Sequence, residues 1–137
     1  MEKVFKQKLN NNISCLPNLL ENIEIFCIEN ALNDEVLFEI NVIADELVSN
    51  IIRHGYADTF KHFIDVNLQL FDDKIEIEIM DDGKEFNPLG HKNEKLNDKL
   101  EDIKIGGLGI DIVKHYSNSI CYKRIENKNI LTIIKNL

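Results

Sequence analysis

The chain of 137 residues has no tryptophan, two prolines, six glycines and three cysteines, and each scarcity narrows what it can be. Cys15, Cys27 and Cys121 are odd in number, far apart and without CxxC or Cys/His ligand spacing. That excludes a disulfide scaffold and a zinc site, and leaves the thiols as small buried hydrophobes in a reducing compartment. No stretch approaches the roughly 18 apolar residues of a membrane span. The N-terminus, Met1-Glu2-Lys3-Val4-Phe5-Lys6, is charged with no apolar segment behind it, so a cytoplasmic protein away from the membrane is expected. Positive charge is in deficit: 16 Lys and Arg against 24 Asp and Glu give a formal charge of −8. Such a field repels polyphosphate backbones and argues against nucleic acid as a partner.

What remains is 44% hydrophobic and 29% charged, the composition of one globular domain covering residues 1–137. At this length roughly two-thirds of the unfolded chain's surface can be buried, enough for a core without staples. Internal repeats and low-complexity linkers are lacking.

Residues 3–9 read as an edge strand, and Pro17 opens a helix running to about Leu32. From Asp34, a good N-cap, apolar residues recur at Val36, Leu37, Ile40, Ile43, Ala44, Leu47, Val48 and Ile51, which predicts an amphipathic helix. Gly55 is placed to close it in the left-handed conformation. Two runs then alternate at period two, Ile64-Val66-Leu68-Leu70 and Ile75-Ile77-Ile79, joined by Phe71-Asp72-Asp73-Lys74 as in a hairpin. One buried face per strand predicts antiparallel pairing under a single helical layer. Residues 84–105 are polar and aperiodic, a long loop of the functional kind. Gly106-Gly107-Leu108-Gly109 opens a short helix from Ile110 to about Tyr116, and strands follow near 119–125 and 130–135.

Three constellations carry chemistry. Glu46 and Asn50 lie one turn apart, about 40° from each other on the helical wheel. An amide oxygen suits Mg²⁺, and a carboxylate nearby can take a proton or orient a nucleophile; a solvated stripe on an amphipathic helix has the same pattern and is commoner. Asp81-Asp82-Gly83 ends a strand, where a fixed carboxylate can accept an exocyclic amine and a glycine can admit a flat ring; Asp-Gly is equally a turn signal. The glycines at 106, 107 and 109 precede a helix, so bare N–H groups can meet anionic oxygens. This is neither a Walker A loop nor a dinucleotide fingerprint, because no Gly-Lys-Ser/Thr follows and Ile112 stands where a third glycine belongs.

Their order is more specific than any one of them. Residues 36–135 resemble the GHKL superfamily of ATPases, the Bergerat fold, and the span Asp45-Glu46-Leu47-Val48-Ser49-Asn50-Ile51-Ile52-Arg53-His54-Gly55-Tyr56 is most similar to bacterial anti-sigma-factor serine/threonine kinases. Asp81-Asp82-Gly83 with Phe86-Asn87-Pro88, and Gly106-Gly107-Leu108-Gly109-Ile110, support it. The resemblance implies an α+β, two-layer sandwich whose mixed, mostly antiparallel sheet is covered on one face by three helices. It implies ATP and Mg²⁺ as cofactors, Glu46 as catalytic base and Asn50 as the magnesium ligand. Asp81 would receive the adenine amine with Gly83 beneath the ring, and Lys104, Gly106, Gly107, Leu108 and Gly109 would meet the phosphates at the end of a lid over 84–105. A sigma factor and an anti-sigma-factor antagonist are the partners it implies, with the γ-phosphate passing to a serine or threonine of the antagonist, and it suggests a homodimer.

One departure stands out: similar proteins carry Gly-Thr near the start of the last strand, where this chain reads Lys128-Asn129-Ile130, which predicts weaker or less selective adenine binding. Two other functions share the motifs. One is a nucleotide-gated module that binds a partner without phosphotransfer. The other is the catalytic domain of a histidine kinase, for which about thirty residues ahead of the Glu46 helix leave little room for a phosphoaccepting segment.

Overall fold

The computed structural model describes residues 3–91 and 108–137. Its strands are β1 (Lys3–Asn10), β2 (Phe63–Leu70), β3 (Lys74–Asp81), β4 (Ser119–Ile125) and β5 (Lys128–Asn136), and its helices α1 (Leu16–Glu29), α2 (Asp34–His54) and α3 (Leu108–Tyr116). The five strands form one sheet in the order β1-β2-β3-β5-β4. All four pairings are antiparallel, so the mostly antiparallel sheet expected from the alternation is found, with no parallel pair among the described residues.

Period two decides which side of the sheet is covered. Ile64, Val66 and Leu68 of β2, Ile75, Ile77 and Ile79 of β3, and Leu131 and Ile133 of β5 are buried, while the residues between them are more exposed. The helices close this face with Leu19 and Ile23 of α1, Ile40, Ile43, Ala44, Leu47 and Val48 of α2, and Ile110 and Val113 of α3. Each such aliphatic side chain removed from water contributes about 1.5–3 kcal/mol before the entropy of ordering is subtracted. Among the described residues no helix is long and apolar enough to cross a membrane.

The helix ends differ in detail from the sequence reading. The N-cap of α2 is Asn33, whose side chain accepts from the Val36 amide at 2.8 Å, and Asp34 and Glu35 stand inside the first turn, where their charge suits the helix dipole. Asn33→Ala is expected to cost about 1 kcal/mol, measurable as a lower urea midpoint with an unchanged slope. Helix α1 stops at Glu29, short of Leu32. There Asn30 Nδ2 donates to the Phe26 carbonyl at 2.8 Å, and Ala31 turns left-handed at φ 60°. Gly55 is not left-handed; its φ is −79°, and a β-carbon there would lie 2.7 Å from the Ile51 carbonyl oxygen. The thiols divide: Cys27 is buried, and burial with nearby Glu24 pushes it up to about 11, whereas Cys121 is exposed on the outer face of β4, contrary to the expected burial.

Side-chain links also pin the helical layer to the sheet. Phe5 of β1 meets Phe26 of α1 with ring centroids 5.7 Å apart. Lys135 of β5, 8% exposed, pairs with Glu39 of α2 and donates to the Tyr116 carbonyl at 3.1 Å. One ammonium thus joins α2, the last turn of α3 and the sheet, and its partners offset the cost of burying it.

Candidate functional site

Glu46 and Asn50 project from the half-buried flank of α2, beside the core residues Leu47 and Ile43. Helix α3 begins on top of them. A β-carbon at Gly109 would lie 2.7 Å from Glu46 Oε2 and 3.8 Å from Asn50 Nδ2, so glycine lets the start of α3 meet the carboxylate without displacing it. A carboxylate, an amide and the N-terminal end of a helix therefore meet at one place. Ser49, buried on the same turn, accepts from Arg53 Nη2 at 3.0 Å and donates to the Glu46 carbonyl at 3.3 Å, which accounts for Arg53 as a pairing residue.

The second part of the site sits at the end of α2. Asp81 closes β3 facing the helices and is 5% exposed. Its Oδ1 accepts from the Gly83 amide at 2.8 Å and from Asn129 Nδ2 at 3.0 Å. Burial raises its pKa; the bonds from Asn129 and Gly83 oppose that, Asp82 adds to it and Arg124 lowers it. A β-carbon on Gly83 would lie 2.4 Å from the Gly55 carbonyl oxygen, and that same oxygen accepts from the Lys84 amide at 2.9 Å. The chain leaving β3 is thereby stitched to the C-terminal end of α2. From Glu46 to Gly55 the helix axis runs about 13 Å at 1.5 Å per residue, with Gly109 over one end and Asp81-Gly83 against the other.

Asn129 is the residue whose importance the sequence concealed. It is 6% exposed and stands opposite Asp81 on β3 and Arg124 on β4. Its Nδ2 donates to Asp81 and, at 2.8 Å, to the Lys84 carbonyl; its Oδ1 accepts from Tyr122 Oη at 2.5 Å and Arg124 Nη1 at 3.1 Å. Arg124 also donates to the Gly83 carbonyl at 2.8 Å.

A group that no motif announced flanks it. His62 Nε2 lies 2.8 Å from Asp58 and Nδ1 3.2 Å from Asp82, and its ring stacks on Tyr56 with centroids 4.3 Å apart. The Asp58 hydrogen bond raises the His62 pKa, burial opposes it, and the Asp82 hydrogen bond adds to the rise. A histidine with a raised folded-state pKa stabilises at low pH and loses that contribution as pH rises through the folded value. The melting temperature of the wild type is accordingly expected to exceed that of His62→Gln most below the ordinary value of 6.5, the gap narrowing as the solution becomes alkaline. A constant gap across that range would show that the carboxylate contacts do not act through charge. The Tyr56 hydroxyl is buried with no partner among the described residues, and burial followed by Asp81, Asp82 and Asp58 raises its pKa.

The residues holding a cation would be few. Among the described residues no group of three His, Cys, Asp or Glu could hold a metal ion; the oxygen-bearing side chains beside Gly109 are the Glu46 carboxylate and the Asn50 amide, the kind of hard ligand that Mg²⁺ takes. Lys104, Gly106, Gly107 and most of the 84–105 loop lie outside the described residues, and of Leu108 only the backbone is described. Residues Pro88–His91 form a single 3₁₀ turn.

Residues 12–135 match the family described as histidine kinase-like ATPase domain. Over 96 residues the chain is 26% identical to the serine/threonine-protein kinase BtrW of Bordetella bronchiseptica, covering 70% of this chain and 68% of that one. Over 84 residues it is 31% identical to the anti-sigma F factor of Oceanobacillus iheyensis, covering 61% and 58%. The crystal structure of the RsbU and RsbW domains of Rv1364c from Mycobacterium tuberculosis superposes with a TM-score of 0.67 at 12% identity, over 97% of this chain and 32% of that chain. That likeness establishes the fold. The chain thus spans little more than half of the anti-sigma F factor and about a third of the mycobacterial chain.

Proposed function

The chain belongs to the histidine kinase-like ATPase domain family, and on that footing we propose that it is an ATP-dependent serine/threonine kinase of the anti-sigma-factor type, acting on a partner antagonist protein. The observation that carries the reading is the meeting of Gly109 with Glu46 and Asn50 in the C-terminal half of α2, while the chain leaving Asp81 and Gly83 is stitched to the end of that helix at Gly55. Residues scattered over some sixty positions thereby flank one length of helix, with Asp81 for the base at one end and Glu46 for the chemistry at the other.

In this reading Asp81 accepts the exocyclic amine of adenine, and Gly83 leaves a flat face for the ring. The start of α3 brings main-chain donors toward the phosphates, a placement that helix termini favour. Asn50 would hold Mg²⁺, which when bound neutralises charge on the phosphate oxygens. Glu46 orients a seryl or threonyl hydroxyl of the partner and accepts its proton as the oxygen attacks the γ-phosphorus, ADP leaving on the opposite side. Lys104, Gly106, Gly107 and Leu108 are proposed to complete the phosphate contacts. The names of two similar proteins, a serine/threonine-protein kinase and an anti-sigma F factor, support a sigma factor and its antagonist as partners.

Titration calorimetry of the full chain with ADP, ATP and GTP, with and without Mg²⁺, tests the nucleotide site, with magnesium-dependent binding of ATP the expected result. Incubation with γ-labelled ATP and the antagonist protein from the same genome then tests phosphotransfer. Label on a serine or threonine is expected; ATP binding without label in the antagonist would overturn the kinase reading in favour of a nucleotide-gated binding module.

A further inference from the structure

Resting on the reading of Asp81 as the acceptor for a base, we propose that Asn129 is a positioning residue that locks Asp81 in the orientation selecting adenine over guanine nucleotides. Asn129 cannot itself read a base. An asparagine side chain offers two N–H donors and an oxygen with two lone pairs. Here both donors are taken, by Asp81 Oδ1 and the Lys84 carbonyl, and Tyr122 and Arg124 occupy the oxygen. These partners also fix which way the amide faces, since donors crowd one side and acceptors the other.

The consequence falls on Asp81. Asn129 and the Gly83 amide both bind Oδ1, and among the described residues Oδ2 accepts no hydrogen bond, so one defined oxygen is left for a ligand. Adenine presents an amine at the position where guanine presents a carbonyl oxygen, which a carboxylate oxygen held in place repels. A carboxylate free to rotate could instead turn to guanine's own N–H groups. Selectivity for adenine therefore requires that Asp81 be held, and Asn129 is the side chain that holds it. Its hydrogen bond also opposes the burial that raises the Asp81 pKa: burial and Asp82 favour the protonated form, and Asn129, Gly83 and Arg124 favour the charged one, with the Tyr56 hydroxyl nearby. The place where the sequence predicts weakened recognition is filled by a side chain that restores it.

The test uses the full chain and its Asn129→Ala and Tyr122→Phe variants. ATP and GTP affinities are measured by calorimetry between acid and neutral pH, and the Asp81 carboxyl is followed by carbon NMR in the ligand-free protein. Asn129→Ala is expected to weaken ATP about tenfold, the loss of one hydrogen bond to a charged group, while leaving GTP nearly unchanged, so that the preference collapses. Asp81 should titrate at higher pH, and the acid limb of ATP binding should follow it. Tyr122→Phe keeps the amide but removes one of the donors to its oxygen, leaving Arg124 and the Phe86 amide there, and should move the same readings the same way by less, which keeps the claim decidable if Asn129→Ala fails to fold. An unchanged ATP-to-GTP ratio with an unshifted Asp81 titration overturns the proposal. A wild type that binds neither nucleotide overturns the adenine reading itself; the ligand-free titration still decides whether Asn129 governs Asp81.

Discussion

Gly83→Ala is expected to destabilise the fold by about 2–3 kcal/mol, the range for forcing an extra carbon into a packed site and losing a hydrogen bond beside it, and to abolish measurable nucleotide binding. The added carbon would stand 2.4 Å from the Gly55 carbonyl oxygen and 3.0 Å from Asp81 Oδ1. The nearer atom is backbone and cannot rotate aside, so the segment after β3 must lift from the end of α2. Lifting breaks the bond from the Lys84 amide to Gly55 and drags the Gly83 amide from Asp81 Oδ1. Asp81 then loses one of its two donors while staying buried, and its pKa climbs further. Urea unfolding and ATP calorimetry on the same preparation check both parts. A variant with wild-type midpoint and wild-type affinity would mean that the seam between Gly83 and Gly55 opens without cost.

The seam also marks the limit of what the sequence discloses. The period of α2 and the alternation in β2 and β3 are local signals, because burial on one face imprints itself on every third or fourth, or every second, residue. The Glu46–Asn50 pair and Asp81-Gly83 were legible for the same reason: each lies within one turn or one strand end. Gly55 looked like a left-handed helix stop, yet its φ is ordinary, and it is its carbonyl oxygen that receives the chain at Gly83 and Lys84, 28 and 29 positions away. Asn129 read as a deficiency because a residue type says nothing of what it faces, and its partners Asp81, Tyr122, Arg124 and Lys84 come from three other segments. His62 gave no signal at all, since its two carboxylates approach from opposite sides in sequence. Long-range pairings of this kind depend on sheet order, and the strand order β3-β5-β4 puts Asp81, Asn129 and Arg124 in one row across three strands that no local pattern predicts.

Farther back along α2, Glu46→Gln is expected to lower phosphotransfer by at least about 100-fold, the lower bound for losing a general base, while ATP affinity stays near wild type, because the amide keeps the shape and loses only the capacity to take a proton. Gly109→Ala supplies the geometric counterpart. Its β-carbon would lie 2.7 Å from Glu46 Oε2, but that oxygen is the tip of a flexible side chain and can swing away. The backbone at Gly109 is not left-handed, so alanine suits it, and alanine is the better helix former by up to about 1 kcal/mol. Stability should therefore hold or rise while transfer falls, since displacing a catalytic group by about 1 Å can cost about 100-fold. In thermal melts and labelled-phosphate assays, lost transfer at undiminished melting temperature for both variants is the signature of a site that depends on where one carboxylate stands. If Gly109→Ala keeps full transfer, the contact between α3 and Glu46 is only packing; if Glu46→Gln does, the base is another residue.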